Sequence, residues 1–261
     1  MIMSELSNFL MELLENPSEN LQGNLSTLEW QDQTFVDRFF TTSRDGYYEI
    51  EEEIEFLKKY LTSSPFLDLG SGRGRLSKPL AETIPGFAID NSFLSLESNG
   101  VRSICGDYKK LPIKGHFGSI MLAFGQICFC NKNELIDLLK RCKKLLKRNG
   151  RIYIDLPTID ATQAMHSFGE WEHLQENDES ILFTARHYNP VSDIFSQKLI
   201  NVNFTQNQFT TKWVHYQMYS LYELLELFKD LRLQVIYGAE DFQETPIKEE
   251  SPWMIFVLQK S

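Results

Sequence analysis

From Pro65 onward, short apolar runs alternate with stretches that carry apolar residues at helical spacing. The runs Phe66–Leu69, Phe87–Asp90, Arg102–Cys105, Ser119–Phe124 and Arg151–Leu156 have the length and composition of buried strands. Between the last two, Leu135, Leu138, Leu139, Cys142, Leu145 and Leu146 share one helical face, and Asn149-Gly150 supplies a left-handed stop. Strands alternating with helices in this way predict a parallel sheet with right-handed crossovers. The order changes after Pro157. Ile181–Tyr188, Ile194–Phe204 and Phe209–Tyr219 are rich in β-branched and aromatic residues with no helix between them, so antiparallel strands added to the core are expected. Ser220 and Glu223 have capping-box spacing ahead of a helix through Leu221, Leu224, Leu225 and Phe228. Leu233–Tyr237 and Trp253–Leu258, separated by a polar loop, then close the chain as an antiparallel pair.

The part before Pro65 reads as helical. Leu6, Phe9, Leu10, Leu13 and Leu14 form one stripe that Asn16-Pro17 ends, and residues 18–26 are polar loop. A second helix is expected from Glu49, with Ile50, Ile54, Leu57 and Leu61 facing inward and Glu51, Glu52, Glu53 and Glu55 solvated on its other faces. No internal repeat is visible. Three regions follow: a helical segment over 1–64, an α/β unit over 65–157 and 220–261, and a β-rich insertion over 158–219.

Composition narrows the class. The 261 residues are 42% hydrophobic and 24% charged, within the range of an ordinary globular chain rather than a disordered or fibrous one. No apolar run reaches the ~18 residues of a membrane span, and Met1–Leu14 carries Glu5 and Glu12 without Lys or Arg, unlike a secretory leader. Cys105, Cys128, Cys130 and Cys142 show no metal-ligand spacing; Cys128 and Cys130 read as same-face strand residues, and reduced thiols in a cytoplasmic protein are expected, with no metal. The 26 Lys and Arg against 36 Asp and Glu give a net charge of −10, which repels phosphate backbones. The basic residues Lys140, Arg141, Lys143, Lys144, Lys147 and Arg148 read as a solvated helix face near a C-terminus, not a nucleic-acid surface.

The chemistry-bearing stretch is Asp68-Leu69-Gly70-Ser71-Gly72-Arg73-Gly74-Arg75, where a buried strand runs into a glycine turn. Glycines permit positive φ and let a ligand lie against bare backbone, and turn amides at a helix start favour an anionic group. Asp90 ends the next strand candidate, 20 residues after Gly70, where a carboxylate can accept from both hydroxyls of a ribose. Asp107, after Gly106, ends the third and can accept from an adenine amine, with Tyr108 as a stacking surface. All sit at carboxyl ends of strands, where open α/β sheets bind ligands. Arg75 holds the third-glycine position of the dinucleotide fingerprint, and Asp68 would oppose a pyrophosphate. A ligand with an ammonium and a carboxylate suits the turn better than NAD.

These residues resemble the motifs of class I S-adenosylmethionine-dependent methyltransferases of the small-molecule type. Asp68 to Gly74 is similar to the first motif, Ala88-Ile89-Asp90-Asn91-Ser92 to the ribose-binding strand end, Gly106-Asp107 to the adenine contact, and Leu145 to Gly150 to the turn before strand five. The resemblance implies a seven-stranded Rossmann-like sheet with an antiparallel last strand, and S-adenosylmethionine held by Asp68, Gly70, Ser71, Gly72, Gly74, Asp90, Asn91, Asp107, Tyr108, Ala123 and, from the N-terminal segment, Tyr48. The segment Ala123-Phe124-Gly125-Gln126 stands at the family's substrate-facing edge without the Asn/Asp-Pro-Pro-Tyr/Phe signature of base and glutamine methylation, and the β insertion resembles a cap over a small-molecule acceptor. Base candidates are His187 and His215, each beside a tyrosine of which only one neighbour can face a pocket. His166 and His173 near Trp171 are further candidates. An RNA or protein acceptor, a nicotinamide oxidoreductase and a non-catalytic nucleoside-binding protein are the alternatives.

Overall fold

The computed structural model describes residues 50–61, 64–97, 99–110, 113–159, 171–176, 180–203, 205, 208–248 and 251–260. The expected helix over Leu6–Leu14, the aromatics Phe39 and Phe40, Tyr47 and Tyr48, and His166 lie outside these residues. Among the described residues the strands form two sheets. The larger has seven strands in the order β10-β11-β5-β4-β1-β2-β3: β1 (Phe66–Leu69), β2 (Gly86–Asp90), β3 (Arg102–Cys105), β4 (Phe117–Leu122), β5 (Leu146–Pro157), β10 (Leu233–Ala239) and β11 (Trp253–Lys260). The first five are parallel, and β11 runs antiparallel to both β5 and β10. Chain direction therefore reverses only at the closing hairpin.

The uninterrupted burial of β1 and β4 has a direct cause: helices cover both faces of the sheet. Alternation sorts the side chains. Leu67, Leu69, Ile120, Leu122, Ile152 and Ile154 point to the face covered by α4 (Lys132–Leu145) and α5 (Leu221–Asp230), against Leu135, Leu139, Leu224 and Phe228. Phe66, Met121, Tyr153, Ile255 and Val257 point to the other face, against Ile54 and Leu57 of α1 (Ile50–Tyr60) and Leu80 of α2 (Ser77–Ala81). The register Asp68↔Met121↔Tyr153 places Asp68 in that second set, and Asp155, two residues past Tyr153, shares it. Two carboxyl groups thus lie beneath α1. A short helix α3 (Phe93–Glu97) links β2 and β3.

Both helices on the first face start with capping boxes. In α5, Ser220 and Glu223 bond reciprocally as expected; in α4, Asn131 accepts from Asn133 N and Glu134 N at 3.0 Å while Glu134 accepts from Asn131 N at 2.9 Å. α4 ends at Leu145, earlier than the expected stop, because Leu146 already pairs with Phe117 as a strand residue. Asn149 does adopt a left-handed φ of 62°, but within β5.

The insertion does not extend the core sheet. It folds on itself as an antiparallel sheet β6-β7-β8-β9, of Trp171–Glu176, Ser180–Asn189, Ile194–Asn203 and Gln208–Gln217. The reason is local: each strand pairs with its sequence neighbour. Strand β6 was not legible in the sequence. Lys132 at the start of α4 bonds Glu223 at 2.6 Å and lies 3.6 Å from Asp193 in the β7–β8 turn, fastening this sheet to both helices.

Leu139 is fully buried and Leu225 is 40% exposed. Leu139→Ala should therefore cost about 2–5 kcal/mol in urea unfolding, whereas Leu225→Ala should stay near ~0.5 kcal/mol. Equal losses would place the apolar face of α4 elsewhere than against the sheet.

Candidate functional site

The turn after β1 is built from left-handed backbone. Gly70, Gly72 and Gly74 have φ of 75°, 54° and 82°, a region that side chains disfavour. Gly70 N and Ser71 N both donate to Ile89 O, at 2.8 and 3.1 Å, which stitches the turn to the end of β2. A Cβ on Gly74 would fall 2.5 Å from Asn99 O, whereas one on Gly72 would meet nothing within 4 Å among the described residues. Among those residues Gly72 borders open space, and its backbone can be approached closely. Asn99, fully buried, braces the turn from behind through Nδ2 to Ser71 Oγ and Gly72 O, both 3.0 Å.

Asp90 ends β2 facing this turn. Its Oδ2 accepts from Gly72 N and its Oδ1 from Ser92 N, each at 2.8 Å. Burial raises its pKa, and the Ser92, Gly72 and Asn91 amides oppose the shift. Three amides share the two oxygens, which leaves lone pairs for further donors. Gly106 N donates to Asp90 O at 2.8 Å, so Asp107 follows on the adjacent strand end. Asp107 Oδ1 accepts from Lys109 N at 2.9 Å, closing a tight turn. Tyr108 packs its ring against the core and donates its hydroxyl to Gln126 O at 2.9 Å, which joins the β3 end to the loop after β4. Lys109 Nζ reaches Phe129 O and Glu134, fixing the same junction.

Beneath the turn lies a buried charge cluster. Glu53 of α1, 1% exposed, is bidentate with Arg75; Arg75 Nη1 meets Glu53 Oε2 closely, and Nη2 lies 3.2 Å from Oε1. This corrects the expectation that Glu53 sits on a solvated face with its acidic neighbours. The stripe turns far enough for position 53 to meet the sheet, and the buried guanidinium holds it there. Tyr153 Oη reaches Glu53 at 3.3 Å, and the Arg75 guanidinium lies over the Phe124 ring at 5.9 Å. Phe124, expected in the strand, lies beyond it with φ 59°; its N–H donates to Asp155 Oδ1 at 2.7 Å and Gly125 N to Asp155 O at 2.9 Å. Burial pushes the Asp68 carboxyl up to about 7, with Ser77 and Arg75 pulling it down and Asp90 and Glu53 adding to the rise. Burial, then Glu53, pushes Asp155 to about 7 as well, against the Phe124 amide and Arg75.

Comparison with known proteins shows what part of this chain is similar to. Residues 67–154, from the first strand through most of β5, match the family model of a methyltransferase domain. This segment is similar to a methyltransferase domain. Solved structures agree on its Rossmann-like fold. An S-adenosylmethionine-dependent methyltransferase from Clostridium acetobutylicum superposes with TM-score 0.74 at 14% identity, over 87% of this chain and 98% of that one. An S-adenosylmethionine-bound amino pentose methyltransferase from Micromonospora echinaspora gives 0.62 at 12% identity, over 94% and 100%. An uncharacterized protein of Methanocaldococcus jannaschii is 28% identical over 112 residues, 42% of this chain; the match spans about half (53%) of that relative's length.

Around the glycine turn the other candidates fall unevenly. Ala123 is buried just past β4, and Asn91 directly follows Asp90. His187 and His215 lie on the separate four-stranded sheet. His187, Ser196 and His215 are direct partners across β7, β8 and β9, with Ser196 Oγ 2.8 Å from His215 Nδ1. Tyr188, Phe195 and Tyr216 form the next row on the opposite face, and the Tyr216 ring packs 5.2 Å from Phe129 beside the core. Of each His-Tyr pair the tyrosine thus takes the face toward the core sheet, and the histidine the opposite one. His173 lies on β6. Cys128 and Cys130 are buried in and just after a 3₁₀ helix (Gln126–Phe129), not on a strand. Among the described residues no group of three or more His, Cys, Asp or Glu could hold a metal ion, and no helix is long and apolar enough to cross a membrane. Asn99, Glu53 and Asp155 were missed: Asn99 acts from a loop with no spacing signal, and the acids are told apart from ordinary surface or strand positions only by the fold.

The raised Asp155 pKa has a definite sign. The folded state binds its proton more tightly than the unfolded chain, so the stability this gives is present below the unfolded value of ~3.9 and is lost as pH rises through about 7. Asp155→Asn keeps an acceptor for Phe124 N and cannot ionise. Urea-unfolding free energies measured from pH 4 to pH 8 should fall less steeply for this variant, by about one proton in the slope; identical slopes would overturn the assignment.

Proposed function

We propose that the protein transfers the methyl group of S-adenosylmethionine to a small-molecule acceptor. The observation that carries this is the placement of Asp90 and Asp107 on neighbouring strand ends beside a turn of three left-handed glycines, one of which borders open space. Asp90 is suited to accept from the ribose hydroxyls, Asp107 from the adenine amine, and Tyr108 fixes the loop between them and the methionine end. The turn amides suit the methionine carboxylate, and Asp68, buried at that end, suits its ammonium. A cation beside Asp68 would also bring its carboxyl back to the charged form.

The bound donor supplies a sulfonium methyl already activated for in-line displacement. The chain's own work is to align the acceptor and exclude water. A cap-like β sheet docked on the 3₁₀ helix through Tyr216 and Phe129 suits that task. The amino pentose specificity of one structural neighbour supports a small acceptor here, and the net charge of −10 speaks against a nucleic-acid one. Arg75, committed to Glu53 at the third-glycine position, disfavours a dinucleotide.

Titration calorimetry with S-adenosylmethionine and its demethylated product tests the reading. Both should bind the wild-type protein below hundreds of micromolar. Asp90→Ala, which removes charge-assisted hydrogen bonds of about 1.5–3 kcal/mol each, should weaken both at least ten-fold. No binding by the wild type, or unchanged binding by the variant, would refute it.

A further inference from the structure

Gly70 has a second reason to be glycine besides its dihedral. A Cβ built there would fall 2.1 Å from Gln126 Oε1, 2.2 Å from Cδ and 2.8 Å from Nε2. The Gln126 carboxamide therefore lies against the backbone of the glycine turn, reaching it across the gap between β1 and β4. Its main chain is held there firmly. Gly125, left-handed at φ 70°, starts the 3₁₀ helix, and Gln126 O receives the Tyr108 hydroxyl. The side chain is different. It is half-buried, and its carboxamide makes no hydrogen bond with the described residues. A polar group ordered against the turn proposed to bind the donor, with no partner for its donors or acceptor among the described residues, is costly to desolvate unless something else completes it.

The chemistry of what would complete it is specific. A carboxamide offers one acceptor oxygen and two N–H donors on one rigid plane. An α-amino acid presents an ammonium and a carboxylate from one carbon, and one carboxamide can serve both. We infer that Gln126 is a donor-specificity residue that reads the α-amino-acid end of the methyl donor, Oε1 accepting from the ammonium and Nε2 donating to the carboxylate. This rests on the donor proposed above and adds a residue from the acceptor-facing side of the sheet. It also gives Tyr108 a role: by anchoring Gln126 O, the strand end beside Asp107 sets the position of the group that reads the tail.

The test compares two ligands that share the nucleoside and differ in the tail. S-adenosylhomocysteine carries the amino acid, and 5′-methylthioadenosine lacks it. Calorimetric Kd values are measured on the wild type, on Gln126→Ala and on Gln126→Met, which keeps volume and loses polarity. Both variants should weaken S-adenosylhomocysteine about ten-fold and leave 5′-methylthioadenosine within two-fold. Equal loss for both ligands, no loss, or tighter binding of either would overturn the inference, the last because it would make Gln126 a plug that the donor displaces. Loss in Gln126→Ala with full affinity in Gln126→Met would also overturn it, since filling space would then be enough. A wild-type protein that binds neither ligand would refute the donor itself, a result that the Asp90 experiment registers separately.

Discussion

One guanidinium holds the lower wall of the site. Arg75 leaves the glycine turn, meets Glu53 of α1, covers the Phe124 ring and faces Asp155. Helix, donor turn and post-β4 loop converge on it. Glu53, Asp68 and Asp155 are each at most 3% exposed, so three carboxyl groups surround one fixed cation. Charges are costly to bury unless paired, and removing one partner of a buried pair is worse than never having built it. The protein resolves the excess acid by protonation: Asp68 and Asp155 both rise to about 7 while Arg75 remains charged. Near neutral pH the cluster is thus poised to respond to a cation.

That poise explains the strained backbone beside it. Phe124 would leave its left-handed conformation readily if its N–H were unsatisfied, since a bulky side chain pays for positive φ. Asp155 accepts that N–H at 2.7 Å, and the Arg75 guanidinium and the Trp253 ring, 5.5 Å away, hold the Phe124 ring. The turn at Phe124-Gly125 then delivers Gln126 against Gly70. The glycine turn and the loop opposite it are two sides of one electrostatic construction.

Much of this was legible from the sequence, for identifiable reasons. The alternation of apolar runs located the strands of the core sheet, since a strand covered on both faces must be apolar throughout, and Asp68-Leu69-Gly70 marked the turn because few other residues tolerate its dihedrals. Asp90 and Asp107 followed from their place at strand ends. Other features had no one-dimensional signal. Glu53 sits among Glu51, Glu52 and Glu55 and differs only in facing Arg75 across 22 positions. His187 and Tyr188 are adjacent, and which of them faces the domain depends on how the insertion docks, not on its pattern. The pairing that makes the insertion a separate sheet likewise depends on where its turns lie.

The division of labour between the sheets follows from the same geometry. Among the described residues, the groups proposed for the donor come from the parallel sheet and its loops, whose strand ends are fixed by hydrogen bonds to one another. The face turned toward the 3₁₀ helix comes from the insertion, whose contacts among the described residues include aromatic packing, the Lys132 bridge to Asp193 and Glu223, and a buried hydrogen bond from Tyr219 Oη to Cys130 O at 2.6 Å. Exposed ion pairs of this kind hold weakly, whereas buried backbone bonds such as Gly70 N to Ile89 O hold strongly in a low-dielectric interior. In the proposed reaction the donor is already activated, so little chemistry would be left for side chains to perform. Selectivity would then fall to the shape of the insertion and to the loop that Asp155 holds in place.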